Sequence, residues 1–237
     1  FKNWDFGSIP VSWNEAFSDY LDQLWVSSQY NKKCYIESGI SENRIKVINS
    51  GVDTLFFNNQ VEPISITTKK KFKFLYKGNS DNKSGFDILL KTYSQEFIKE
   101  EDVCLIVLTN KNELTDETND LIKRFNSDPN NPELILIDIP EDLNEIAKIY
   151  KACNYLVYSY RTESYCIELV EAMACGLPAI VTNGGASLDY CNKENSFLID
   201  ANRVYQNERN IENTETKGKP SWFEIDPLDF RIKLREA

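Results

Sequence analysis

Two glutamates, Glu163 and Glu171, stand eight residues apart in the stretch "YRTESYCIELVEAMACGLPAIVT" (Tyr160–Thr182). The apolar spacing starts a helix near Tyr165–Ile167, so Glu163 falls in the loop entering it and Glu171 within its body. First-turn N–H groups of such a helix lack intrahelical partners and favour an anion. A carboxylate at Glu171 can accept hydrogen bonds from two vicinal hydroxyls, as a ribose offers. The pair therefore suits a ligand with an anionic centre flanked by hydroxylated rings, a nucleotide sugar in outline. Equally compatible is a plainer reading, with Glu163 favouring the helix dipole and Glu171 a solvated surface acid.

Residue supply narrows the other chemistries. Histidine is absent from all 237 residues. His-based zinc sites, Ser-His-Asp triads and Cys-His dyads are thereby excluded. Six cysteines (Cys34, Cys104, Cys153, Cys166, Cys175, Cys191) form no CxxC pair and lie mostly in apolar patterns, as expected of reduced core thiols in a cytosolic protein. In "YKGNSDNKSGF" (Tyr76–Phe86), Gly78 and Gly85 are too far apart for G-x-G-x-x-G, and no Gly-Lys-Ser/Thr follows. The loop's backbone and Lys83 could still face a phosphate; the alternative is an exposed turn with one solvated lysine.

A formal charge of −10, from 27 basic and 37 acidic residues, argues against general binding of nucleic acid or anionic membrane. A local pocket can still oppose the global sign, so an anionic small molecule is allowed. The chain opens "FKNWDFGSIP", with no signal-peptide pattern and no Met, and is read as a piece of a longer, cytoplasmic protein. No apolar run approaches a membrane span.

The elements that must position these residues follow from alternating patterns. From about Lys71, strand-like runs "KFKFLYKG", "DVCLIVLTN", "ELILIDI", "YLVYS" and "PAIVT" alternate with helical spacing over Gly85–Phe97, Thr115–Phe125, Glu141–Cys153 and the opening fragment. Such alternation predicts an α/β domain with a Rossmann-like parallel sheet flanked by helices. Ligands of such sheets bind at the carboxyl ends of the strands, which gathers Gly78–Gly85, Thr109–Asn110, Ile139 and Ser159–Tyr165 at one crevice. Before it, "QLWVSS" and "RIKVINSGVD" read as two strands flanking a helix, too few to form a domain with its own core. Residues 58–73 read as a linker, residues 201–221 as a polar surface excursion, and the tail as an anchored aromatic followed by a short helix.

The block "ESYCIELVEAMACGLPAIVT" resembles the E-x7-E signature of the retaining glycosyltransferases of family 4, which have the GT-B fold, with Glu163 and Glu171 on its two acids. "GFDILLKTYSQEF", "DVCLIVL" and "IAKIYKACNYLVYSYR" are similar to the family's donor domain. "DFGSIPVSW", "QLWVSSQYNKKCYIESGI" and "RIKVINSGVD" are similar to the end of its acceptor-side domain and the interdomain connection. The resemblance thus implies residues 1–60 as the remnant of the N-terminal acceptor-side domain and residues 61–237 as a nucleotide-sugar donor-binding domain. It implies hexose transfer from a nucleoside-diphosphate sugar with retention. Glu163 would be the catalytic residue, meeting the donor sugar's hydroxyls near the anomeric carbon. The backbone of Tyr165, Cys166 and Ile167 would cradle sugar and diphosphate, Glu171 would hold the ribose, and backbone near Ile139 would meet the base. Gly78, Lys83 and Ser84 would line the diphosphate. Neither a metal nor a cofactor beyond the substrate nucleotide sugar is implied, and the missing N-terminal acceptor domain is the expected partner. Without that domain the fragment is expected to be inactive. Any peripheral membrane association would run through the full-length protein.

The sequence departs from the family pattern at defined places. Asn79 or Ser80 stands where an arginine is usual, Ser84 where a lysine is usual, and Lys83 lies one residue early. Ser164 replaces a glycine, and Ile167-Glu168 replaces Leu-Pro. Losing both cations removes stabilisation of a departing diphosphate. The alternative reading is therefore a degenerate GT-B module kept as a non-catalytic binding or scaffolding domain.

Overall fold

The computed structural model describes residues 4–78 and 82–237. Its centre is a six-stranded parallel sheet formed by β3 (Phe72–Lys77), β4 (Val103–Thr109), β5 (Glu133–Asp138), β6 (Tyr155–Tyr158), β7 (Ala179–Thr182) and β8 (Ser196–Ile199). The spatial order is β5-β4-β3-β6-β7-β8, so the strand order reverses between β3 and β6. That reversal opens a crevice beyond the carboxyl ends of these two strands.

β4 shows why the sheet is buried on both faces. Its run "VCLIVLT" sends Cys104, Ile106 and Leu108 into one apolar cluster and Leu105 and Val107 into the other. One cluster lies under α3 (Phe86–Glu96), α4 (Asp116–Ser127) and α7 (Pro227–Glu236), through Leu89, Tyr93, Phe125 and Phe230. The other lies under α5 (Leu143–Ala152) and α6 (Ile167–Ala174), through Ile146, Tyr150, Leu169 and Ala172. Five of the six cysteines are buried and Cys153 is half-buried; burial raises the thiols of Cys34 and Cys153 to about 12 and that of Cys175 to about 11. At neutral pH these are protonated packing groups, without thiolate nucleophilicity.

The preceding segment holds α1 (Val11–Tyr20), β1 (Leu24–Val26), α2 (Gln29–Glu37) and β2 (Ile45–Val47), with β1 and β2 pairing in parallel. The sequence pattern passes over α1. It also undercounts this segment's packing, because Ile9, Leu24, Val26, Tyr35, Ile40 and Ile45 form a small apolar cluster of their own. The segment is tied to the α/β core by buried polar contacts: the hydroxyls of Ser27 and Ser28 donate to the Ser164 carbonyl at 3.0 and 2.8 Å, and Asn31 Nδ2 does so at 3.0 Å.

The polar stretch after Ile199 is more regular than its composition predicts. β9 (Ala201–Tyr205) pairs antiparallel with β12 (Ser221–Ile225), and a small hairpin, β10 (Asn210–Ile211) with β11 (Thr214–Glu215), projects between them. Its turn places Glu212 and Asn213 at φ of 50° and 60°, the twist a two-residue hairpin requires. The hairpin is anchored to the N-terminal segment, with Lys217 N–H donating to Ile9 O at 2.8 Å.

Candidate functional site

The crevice at the β3/β6 reversal is a cleft of about 340 Å³. Its walls come from five places: the end of β3 with Gly78 (Tyr76, Lys77, Gly78), the turn before α3 (Lys83, Ser84), the stretch from the end of β6 to the start of α6 (Tyr158, Tyr160, Thr162, Glu163, Glu168), Asp5 near the N-terminus, and Ile139 after β5.

The turn before α3 is held by its neighbours. Gly85 lies in the left-handed region (φ 67°), and a side chain there would run into the Ser159 carbonyl. Only glycine satisfies both demands. Arg161 completes the clamp: its backbone N–H donates to Lys83 O at 2.7 Å, and its guanidinium donates to Asn82 O at 2.7 Å. The same guanidinium grips Asp87 through two bonds of 2.7 and 2.8 Å. Against the cost of burial, that pairing holds the Asp87 carboxyl below the ordinary carboxylate range. Lys83 is thereby fixed at the cleft, with its ammonium 3.4 Å from Glu212 Oε1 at the hairpin tip and over the Phe6 ring.

Glu163 lies in the connection as its sequence position predicts. Its carboxylate accepts the Ser164 N–H at 2.9 Å and the Tyr165 N–H at 3.4 Å. Burial, followed by the nearby charge of Asp5, nevertheless raises its pKa above the usual glutamate value. A partly desolvated acid at a cleft wall is a candidate for ligand contact. Glu168, in the first turn of α6, also lines the cleft and accepts the Tyr158 hydroxyl at 3.1 Å.

Glu171 is placed differently. It does not line the cleft. Instead its Oε2 accepts the Lys77 ammonium at 3.3 Å and the Tyr150 hydroxyl at 3.1 Å. Alternation along β3 explains this meeting: Lys77 shares its face with Leu75, and that face packs on α5 and α6. Both partners are largely withdrawn from water, with side chains 11% and 14% exposed. Burial, then Glu171, pushes the Tyr150 hydroxyl well above its usual pKa, so it stays a donor.

Of the predicted site residues, the structure brings Glu163, Gly78, Lys83, Ser84 and Ile139 to the cleft. Tyr165, Cys166 and Ile167 lie beside it. The Tyr165 hydroxyl donates to Ser50 O, Cys166 caps α6 at φ 70° with its side chain buried, and Ile167 opens the helix. Asn79 and Ser80, where an arginine is usual, lie outside the described residues. Sequence reasoning missed Lys77, Tyr150 and Asp5 altogether and gave Glu168 no role. For Lys77 a signal existed, a lysine ending an otherwise apolar strand. Among the described residues no group of three or more Cys, Asp or Glu is placed to hold a metal ion, and no helix is long and apolar enough to cross a membrane.

A Rossmann-like parallel sheet thus opens a cleft at its strand-order reversal, with Glu163 and Glu168 on the α6 side. Residues 71–213 match the family described as Glycosyl transferases group 1, and the chain belongs to that family. Among curated proteins it is similar to an uncharacterized 41.2 kDa protein in the cps region of Klebsiella pneumoniae, 28% identical over 167 residues that make up 68% of this chain and 43% of that one. Among solved structures it resembles HepE of Anabaena in complex with UDP and glucose, at a TM-score of 0.64 and 17% identity, covering 80% of this chain and 52% of that one. A glycosyltransferase from Rickettsia africae gives 0.66 and 17%, covering 83% and 54%. These likenesses place the fold among GT-B glycosyltransferases. The chain spans about half the length of the proteins it matches.

Proposed function

We propose that this chain is the donor-binding portion of a cytoplasmic, family-4-like glycosyltransferase that transfers a hexose from a nucleoside-diphosphate sugar with retention and without a metal. The observation that carries the reading is the cleft at the strand reversal, with Glu163 on its wall and Glu171 immediately behind Lys77. Family membership supports glycosyl transfer, and the UDP and glucose held by the Anabaena protein support a nucleotide-sugar donor. In this reading Glu163 meets the donor sugar near its anomeric carbon and Glu171 takes the ribose hydroxyls. The backbone of Tyr165–Ile167 follows the sugar and diphosphate, Ile139 borders the base, and Gly78, Lys83 and Ser84 border the diphosphate. The protein's main contribution to the reaction is electrostatic, stabilising the diphosphate as it departs. In this reading the acceptor and part of the machinery belong to an acceptor-side domain, and turnover is expected only once such a domain is supplied.

Calorimetric titration with UDP, GDP and ADP tests the reading. Millimolar or tighter binding of one of them, lost in Glu171→Ala, is expected; no binding of any of the three sinks it. A second reading, a non-catalytic binding or scaffolding module, is favoured by one observation: Asp5, Glu163 and Glu168 put three carboxylates on a cleft to which Lys77 and Lys83 bring the only described cations. Binding of a nucleoside diphosphate without turnover, after an acceptor-side domain has been supplied, would favour that second reading.

A further inference from the structure

The charges of the cleft are sorted by element. The acids Glu163 and Glu168 come from the β6–α6 side, with Asp5 from the N-terminal segment, whereas the two lysines come from the β3–α3 side. Ser84 is neutral, and the Arg161 guanidinium is committed to Asp87 and Asn82. Each cleft lysine also has a glutamate partner that does not line the cleft: Glu171 for Lys77 at 3.3 Å and Glu212 for Lys83 at 3.4 Å.

We propose that Lys77 receives the diphosphate of the bound donor, with Glu171 as its counter-ion. This deepens the donor-site reading above and rests on it. The geometry is specific. Lys77 ends β3 directly before Gly78, lines the cleft, and is held over the Tyr150 ring at 5.9 Å. An ammonium has three N–H donors, and among the described residues Glu171 Oε2 takes one. Two donors are left for an anion in the cleft while the ion pair persists. The carboxylate in turn accepts through Oε2 from both Lys77 and Tyr150, and Oε1 has no hydrogen bond to a described residue. Lys77 and Glu171 therefore form an ion pair at the cleft wall, with N–H donors and an acceptor oxygen to spare. A nucleoside diphosphate matches that pair in one covalent unit, because its ribose hydroxyls need an acceptor and its adjacent diphosphate needs a donor. The lysine thus supplies from the strand a charge that Ser84 does not supply from the turn.

Titration of UDP, uridine and inorganic pyrophosphate into the parent chain, Lys77→Met, Lys77→Arg and Glu171→Gln tests this. Lys77→Met is expected to weaken UDP and pyrophosphate about ten- to hundredfold, the range for a lost charge-assisted hydrogen bond, and uridine far less. Lys77→Arg keeps the charge and should hold UDP within about threefold. Glu171→Gln should weaken uridine yet preserve or tighten pyrophosphate, since it releases the lysine. Equal losses of UDP and uridine in Lys77→Met would mean that Lys77 only positions Glu171, and would overturn the proposal; so would unchanged UDP binding. Should Lys77→Met fail to fold, Glu171→Gln decides: loss of pyrophosphate binding there overturns the assignment. A parent chain that binds no UDP, GDP or ADP overturns the donor site and this inference together. One that binds UDP with no dependence on Lys77 overturns this inference alone.

Discussion

At the scale of single residues, the cleft holds one acid, Glu163, whose charge the fold disfavours. Glu163 has a raised pKa because burial, and then Asp5, disfavour its charged form. The folded state accordingly binds more protons than the unfolded chain above the ordinary glutamate pKa of about 4.3, and stability falls as pH rises through the folded pKa. Glu163→Gln removes that liability. It should raise Tm at pH 7, by about 2–4 °C for each kcal/mol relieved, and the gain should vanish once pH falls below about 4, as read by thermal melts across pH. Glu171 is partnered by Lys77 and Tyr150. Glu171→Ala strands both donors and should cost about 1–3 kcal/mol in urea unfolding, whereas Glu171→Gln keeps an acceptor for Tyr150 and should cost less.

Two short elements hold the cleft's cationic side. The turn before α3 depends on Gly85, whose positive φ and contact with the Ser159 carbonyl leave no room for a side chain. Gly85→Ala should destabilise the chain by more than about 1 kcal/mol and, by shifting Lys83, weaken nucleoside-diphosphate binding beyond nucleoside binding. Denaturant titration and calorimetry on the same variant check both halves. The β10–β11 hairpin supplies the second control, through Glu212 on Lys83. This pair is partly exposed and correspondingly weak, so Glu212→Gln should tighten diphosphate binding by only about two- to fivefold. An unchanged or weaker affinity would show that the hairpin does not compete for the lysine.

For the molecule as a whole, stability is unevenly shared. β4 has a hydrogen-bonded neighbour on each side and an apolar cluster on each face. Among the described residues β1 and β2 pair only with each other, beside a cluster of six buried apolar residues, and Trp25 stands 46% exposed. Local opening should follow that difference. Hydrogen exchange measured by mass spectrometry is expected to be faster over residues 24–47 than over residues 103–109. Comparable protection in the two segments would contradict it.

The parallel sheet was legible because strands buried on both faces read as continuous apolar runs, and helical spacing intervenes between them. Glu163, Gly78 and Lys83 were legible as cleft residues because strand ends in such a sheet converge. The polar excursion was not: β9 to β12 are stabilised by pairing with one another and with residues 6–10, and composition carries no record of such distant partners. Local sequence therefore determined the order of β3 to β7 with their intervening helices, a crevice at the carboxyl ends of those strands, and an acid pair with Glu163 before α6 and Glu171 within it, all of which follow from period and spacing. Only tertiary structure decided that Glu171 faces Lys77 and Tyr150, residues 94 and 21 positions away. Side-chain partners across a core are set by how α5 and α6 pack on β3, and that packing is a property of the assembled sheet.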